Sequence, residues 1–264
     1  MIGGFFVFEY VQAELCLLSY CLFPTWKIGR ALDSVRIMTW NLSYENPSPE
    51  GMVKIVKSEF PDVVAVQELV KSTALQISQE LGRDFLYQVI SPAFEFGILS
   101  KYPLKSSQPS GLNPQVSKFQ EVRISVGNRE IELIDVHLPV PKLQTRQFGK
   151  LTLPVNFNTN KWAAIYPSLL ERIKHIDRPL LVVGDFNTSD RDRNYRLLSR
   201  SLTNAFQMAG LGMGMTFPIA PPVAIPLVRI DHIFYSNHWH ARSAWTRSGV
   251  GSDHQYLVAD LQLK

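Results

Sequence analysis

Eight polar residues stand where apolar runs stop: Asn41, Glu68, His137, Asp185, Asn187, Asp231, Asp253 and His254. They are carboxylates, amides and imidazoles, with no hydroxyl or thiol nucleophile among them. That set suits attack by an activated water on a phosphate ester, assisted by a hard cation. A cation such as Mg²⁺ (or Mn²⁺) takes oxygen ligands and keeps several waters, so one or two carboxylates suffice. Glu68 and Asp253, with Asn41, are the candidate ligands. The water needs a carboxylate to orient and deprotonate it, which suits Asp185. Asn41, Asn187, His137 and His254 can donate to the charge that develops on the phosphoryl oxygens. Asp231 is placed to fix the tautomer of His254.

Singly, each residue has a duller reading. In LVVGDFNTS (181–189) the Gly, Asp and Asn are also what turns use. Asn41 can cap a turn, Glu68 can be a solvated strand end, and His137 can be a satisfied core histidine. The elements that carry them decide the matter. VRIMTWN (35–41), PDVVAVQE (61–68), a hairpin turning at Gly127-Asn128 and ending in IDVHLP, and Leu180–Val183 all read as strands that close on these residues. RIDHIFYS (229–236), a run near 241–246, and QYLVADLQL (255–263) add further strands. Helices are expected over Pro49–Glu59, with Met52, Val56 and Phe60 on one side, over Ser72–Leu81, and over Trp162–Ile173. Residues 140–160, rich in Pro, Gln, Thr and Asn, read as loop. Strands outnumber helices, and hairpins mix with crossover helices. The expected architecture is α/β: two mixed sheets packed face to face, with helices outside.

The 264 residues allow one large domain, and no repeat or long linker divides them. With 45% hydrophobic and 19% charged residues, the composition excludes a disordered chain. The net charge of +4 and pI near 9.0 suit a phosphate-bearing partner, nucleic acid included. Cys16 and Cys21 are the only cysteines, so no disulfide framework and no cysteine metal site is expected. Residues 1–30 form a hydrophobic segment ahead of a 31–264 domain. Glu9 and Glu14 interrupt it, and a carboxylate near a bilayer centre costs about 2 to 3 kcal/mol. A packed helix is one reading; membrane association through residues 1–25 is the other. Localisation stays open between cytoplasmic and membrane-associated.

WN, VQE, GILSKYPL, DVHLP, GDFN, RIDHIF and SDH occur in the order found in the endonuclease/exonuclease/phosphatase superfamily, which the chain resembles from about Val35 to Leu263. The resemblance implies the DNase I-like four-layer sandwich and divalent-metal-dependent phosphoester cleavage. It implies Glu68 as principal metal ligand, Asp185 and Asn187 at the nucleophile and phosphate, and Asp231 supporting His254. Apurinic-site endonucleases carry a tyrosine where this chain has His137, so DNase I, sphingomyelinase-type and phosphatase members are closer. GLGMGMTFP and the Pro-rich stretch after it resemble bacterial proteins of the teicoplanin-resistance and YafD-like group, some of which act near membranes. That leaves a lipid or prenyl-pyrophosphate phosphatase as the alternative to a nuclease, and a non-catalytic phosphate-binding protein as a third reading.

Arg191, Arg193, Arg196 and Arg200 follow GDFN, the last three at helical spacing. Arg193 and Arg196 are candidate grips for further substrate phosphates. A solvated charged face is the alternative. Lys142, Arg146 and Lys150 after His137 carry the same two readings with less weight.

Overall fold

The computed structural model describes residues 34–46, 48–106, 118–148, 151–158, 162–218 and 226–264. The N-terminal segment 1–30, with its membrane reading, and Lys150 lie outside them. No helix among the described residues is long and apolar enough to cross a membrane.

In chain order the elements are β1 (Ser34–Asn41), α1 (Pro49–Glu59), β2 (Val63–Gln67), α2 (Lys71–Leu81), β3 (Tyr87–Ser91), β4 (Phe96–Ser100), β5 (Leu104–Ser106), β6 (Phe119–Val126), β7 (Arg129–His137), β8 (Lys142–Phe148), β9 (Leu151–Asn158), α3 (Trp162–Lys174), β10 (Leu180–Asp185), α4 (Arg193–Leu198), β11 (Thr203–Asn204), α5 (Ala205–Ala209), β12 (Asp231–Tyr235), β13 (Trp239–Ser248) and β14 (Gln255–Leu263). Two six-stranded sheets result, ordered β13-β14-β1-β2-β4-β3 and β11-β12-β10-β7-β6-β5. Each mixes parallel and antiparallel pairs: β1 runs parallel to β2 and β7 parallel to β10, while β4 and β12 run against their neighbours.

Alternation along the strands builds the layers. Ile37, Ala65, Leu133, Val183 and Ile233 point between the sheets into a shared buried cluster. Their neighbours Met38, Trp40, Val64 and Val66 face outward under α1 and α2, which contribute Met52, Val56, Ile77 and Leu81. On the far side Ile134, Val136, Leu180 and Val182 face outward under α3 and α4, against Tyr166, Leu169, Ile173 and Leu198. Each such side chain contributes about 1.5–3 kcal/mol when fully buried. Helix, sheet, sheet, helix is therefore the order of layers.

Inner-face parity carries the site. On β1 it runs Val35, Ile37, Thr39, Asn41; on β7 it runs Ile131, Leu133, Asp135, His137; on β10 it runs Leu181, Val183, Asp185. Thus the space between the sheets is apolar in its middle and polar at one end, where the parallel strands finish.

Three expectations need correction. Within 140–160, residues 142–148 and 151–158 are not loop: β8 and β9 form a two-stranded antiparallel sheet. The alternation Leu151, Leu153, Val155, Phe157 was present, but Pro154 hid it. That proline sits where the register shifts opposite Gln144 and Thr145, a bulge position that tolerates a missing N–H. Phe60 does not share the buried face of α1. It is the left-handed C-cap, 64% exposed. The arginine-bearing helix spans only Arg193–Leu198, so Arg200 lies past its end and does not share a face with Arg193 and Arg196.

Candidate active site

Asn41, His137 and Asp185 close β1, β7 and β10, Asp231 opens β12, and His254 directly precedes β14. Backbone register aligns the second sheet's contributors: His137 lies opposite Asp185, and Asp185 opposite Asp231. Gly184 explains why the core strand ends as it does. Its φ of +127° is a conformation only glycine adopts readily. A Cβ there would also lie 2.0 Å from the Val136 carbonyl oxygen. Close approach of β10 to β7 is what brings Asp185 level with His137. Glu68 (φ 55°) and Asn187 (φ 47°) also hold left-handed conformations. Such strain persists where surrounding structure enforces it.

The side chains meet across the gap. Asn41 Nδ2 donates to Glu68 Oε1 at 2.9 Å and to Asp185 Oδ2 at 3.1 Å, so one amide bridges carboxylates from both sheets. Asn187 donates from its backbone N to Asp185 Oδ1 at 2.8 Å, and from Nδ2 to Leu138 O and Asp185 Oδ2. His254 Nδ1 donates to Asp231 Oδ2 at 2.9 Å. His254 Nε2 and His137 Nε2 each lie 4.0 Å from Asp185 Oδ2. The Ser-Asp-His segment is fixed by Ser252, whose Oγ donates to Asn41 O at 2.6 Å and accepts from His254 N. Trp40 Nε1 donates to the His254 carbonyl.

Electrostatics separate the roles. Burial pushes the Asp185 carboxyl up to about 7, with the nearby Asp231 charge adding to it and His254 opposing. Burial alone would lower His254, but the charge and hydrogen bond of Asp231 outweigh it and lift the imidazole to about 10. His137 goes the other way, its burial favouring the neutral ring despite Glu68 and Glu95. The site therefore pairs a carboxyl poised near neutrality with one fixed imidazolium and one neutral imidazole.

The sequence reading missed Glu95. It follows a 3-10 turn at Pro92–Phe94 and holds a left-handed φ of 69°. Its Oε2 lies 3.6 Å from His137 Nδ1, while Glu68 Oε1 lies 3.5 Å from Nε2, so His137 stands between two carboxylates. Glu95 follows an apolar stretch at a turn, as the other site residues do. Its position inside SPAFEFG gave it no strand of its own, which is why it escaped notice. His232 was missed as well. Fully buried and held down to about 4 mainly by that burial, it donates from Nε2 to Thr188 O at 2.8 Å, with Asn204 Nδ2 at 3.3 Å from its Nδ1. It thereby fastens the loop that carries Asn187.

Two donor sets could hold a cation. Asp185, Asp231 and His254 place ligand atoms within 4.8 Å of one another. A cation there would have to displace the proton that joins His254 to Asp231. Glu68 has the better chemistry: its side chain is 18% exposed, water reaches it, and its oxygens accept from Asn41 Nδ2 and Tyr44 N. An oxygen-only, partly wet carboxylate fits a hard cation. Asn41 turns its amide hydrogens, not its oxygen, toward Glu68 and Asp185; the oxygen accepts from Ser43 N. In this arrangement Asn41 positions carboxylates instead of offering a ligand oxygen. Asp253 is only part-buried and acts on the group through its charge, which helps to raise His254. Arg193 and Arg196 are exposed on α4, behind the N-cap Asp192.

Two packed mixed sheets with flanking helices and this acid-imidazole cluster define a DNase I-like α/β sandwich. The chain belongs to the Endonuclease/Exonuclease/phosphatase family, whose sequence pattern matches residues 38–254. Among solved structures, the Bacteroides vulgatus endonuclease/exonuclease/phosphatase shares 18% identity at a TM-score of 0.66, covering 88% of this chain and 99% of its own. The Bacteroides thetaiotaomicron family member shares 16% at 0.64, covering 88% and 98%. D. rerio TDP2 complexed with single strand DNA product shares 15% at 0.63, covering 87% and 99%. No curated protein matches the sequence significantly.

Proposed function

We propose that the protein is a divalent-metal-dependent phosphoesterase that hydrolyses a phosphodiester or phosphomonoester by activated-water attack, with nucleic acid as the favoured substrate class. One observation carries this reading. Asp185 Oδ2, buried, lies within 3.1 Å of the amides of Asn41 and Asn187 and 4.0 Å from the Nε2 atoms of both His137 and His254.

A carboxyl that titrates near 7 is a competent general base at neutral pH. Asp185 would accept the proton of the attacking water while the water oxygen bonds to phosphorus and the ester bond opposite it breaks, the leaving oxygen keeping the bonding pair and taking a proton from solvent. Asn41 and Asn187 hold Asp185 in place. The His254 imidazolium, kept charged by Asp231, stabilises negative charge on the phosphoryl oxygens. Neutral His137 donates to a second oxygen. Glu68 would hold Mg²⁺ or Mn²⁺, which when bound neutralises substrate charge and polarises the phosphoryl group.

The nucleic-acid preference is supported by the basic chain, by exposed Arg193 and Arg196 beyond the Asp185 strand, and by the single strand DNA product bound to the structurally similar TDP2. A lipid or prenyl-pyrophosphate substrate, which residues 1–25 and the teicoplanin-resistance-like segment suggest, is its competitor. The test is a panel of oligonucleotide, plasmid, sphingomyelin, prenyl pyrophosphate and a chromogenic phosphodiester, each with Mg²⁺, Mn²⁺ or chelator. Preferential cleavage of the nucleic acids supports the proposal, and turnover of the lipids alone replaces it with the competitor.

A further inference from the structure

Beneath the cluster lies a second polar layer. Thr39, Gln67 and Asp135 each have no solvent exposure, and each sits at the end of an otherwise apolar inner face. Gln67 Nε2 donates to Asp135 Oδ1 at 2.6 Å and to Thr39 Oγ1 at 3.1 Å. The first of these bonds crosses from β2 in one sheet to β7 in the other. Ile37, Ala65, Leu133 and Val183 form the layer below it without polar atoms on their side chains.

Position makes this layer more than packing. Gln67 directly precedes Glu68, Asp135 lies on the same strand face as His137, and Thr39 on the same face as Asn41. Asp135 pairs in register with Val183, and its Oδ1 lies 3.0 Å from where a Cβ on Gly184 would stand. The ends of β1, β2 and β7, which deliver Asn41, Glu68 and His137, each carry one member of the tie, and β10 runs beside it. A buried carboxyl and amide, with Asp135 Oδ2 and Gln67 Oε1 left without partners, are costly in an apolar gap. Leucine at both positions would pack the gap without that cost.

We propose that Gln67 and Asp135, with Thr39, form an inter-sheet tie that sets the separation of Glu68 from His137 and Asp185, and that Gln67 and Asp135 are positioning residues for the hydrolytic site. This rests on the proposed phosphoesterase reading for its kinetic consequences, though not for its geometry. The tie lies directly above the apolar layer of Ile37, Ala65, Leu133 and Val183, while Asn41 Nδ2 bridges the two sheets nearer the mouth through Glu68 and Asp185. Burial pushes the Asp135 carboxyl well above the usual carboxylate range, which favours the uncharged form, an amide-like partner for Gln67.

The test compares Asp135→Asn, Asp135→Leu, Gln67→Leu and the Asp135→Leu/Gln67→Leu double variant, using the chain's own substrate from the panel. Misplacing catalytic groups by an ångström costs on the order of 100-fold. Asp135→Leu and Gln67→Leu should each lower kcat by roughly 30-fold or more with KM nearly constant, and weaken Mn²⁺ binding in calorimetry. The double variant should be no worse than either single one. Asp135→Asn, which keeps a neutral planar donor and acceptor, should recover kcat to within about threefold of wild type. Wild-type kcat and Mn²⁺ affinity in both leucine variants would overturn the tie. So would an Asp135→Asn variant as impaired as Asp135→Leu, or additive losses in the double variant. Mn²⁺ affinity and the His137 imidazole resonances require no substrate. If the wild-type protein turned over nothing, the phosphoesterase reading would fail, while unchanged resonances in the leucine variants would still count against the tie by itself.

Discussion

His254 Nδ1 lies 2.9 Å from Asp231 Oδ2, with both residues buried, and this pair keeps an imidazolium beside Asp185. Through Asp231 its charge should persist to about pH 10, while Asp185 ionises near 7. The activity profile should be bell-shaped between those limits. Asp231→Asn should move the alkaline limb down toward about 6.5, the ordinary histidine value. At pH 8 it should lower kcat by roughly 30-fold, because only about one ring in thirty keeps its proton there. A pH–rate series on both proteins checks this, and an unmoved alkaline limb would remove the role given to Asp231.

Stability follows from the same shifts. His254 is raised in the folded state, so its contribution is full below about pH 6.5 and is lost as pH climbs through about 10. Asp185 is a raised carboxyl, so the folded chain holds its proton longer, and stability falls as pH rises from about 4 to 7. Asp185→Asn should therefore abolish turnover by about 1,000-fold or more while raising the melting temperature at pH 8 by a few degrees. Circular dichroism melts at pH 5 and pH 8 give the comparison; the gain should shrink at the lower pH.

Glu68→Gln keeps the shape and the contacts to Asn41 and Tyr44 but removes the ligand charge. Calorimetry should show Mn²⁺ affinity reduced by tenfold or more. Equal loss in Asp231→Asn with none in Glu68→Gln would move the cation to the Asp185, Asp231 and His254 group.

Gly184→Ala tests the strand junction. Alanine at φ +127° with its Cβ 2.0 Å from Val136 O must push β10 from β7. A loss of about 3 kcal/mol or more is expected in urea unfolding. Full stability would mean that the junction relaxes freely.

Much of this was readable in the chain because apolar runs, alternating or continuous, end abruptly in polar residues. VRIMTWN, VVAVQE and LLVVGD each announce a buried strand and a tip. The order of seven motifs then fixed the architecture. What stayed hidden depends on distance in space. Glu95 lies at a turn with no run to flag it, and its relation to His137 arises only when β4 joins β2. Asp253 reads as a metal ligand from its type and its place beside His254, and Asp231 as the partner of His254. Burial and the bond to His254 distinguish them. The amides of Asn41 and Asn187 read as phosphate donors, yet both are engaged by Asp185. The β8–β9 sheet was obscured by a proline that a bulge accommodates.

The most direct test is the hydrolysis rate of a chromogenic phosphodiester by the wild type and Asp185→Asn, each with Mg²⁺ and with excess chelator. Turnover is predicted only in the wild type with Mg²⁺, at a rate at least about 1,000-fold above the other three conditions. Turnover by Asp185→Asn, or by the wild type in chelator, at the full rate would contradict the account.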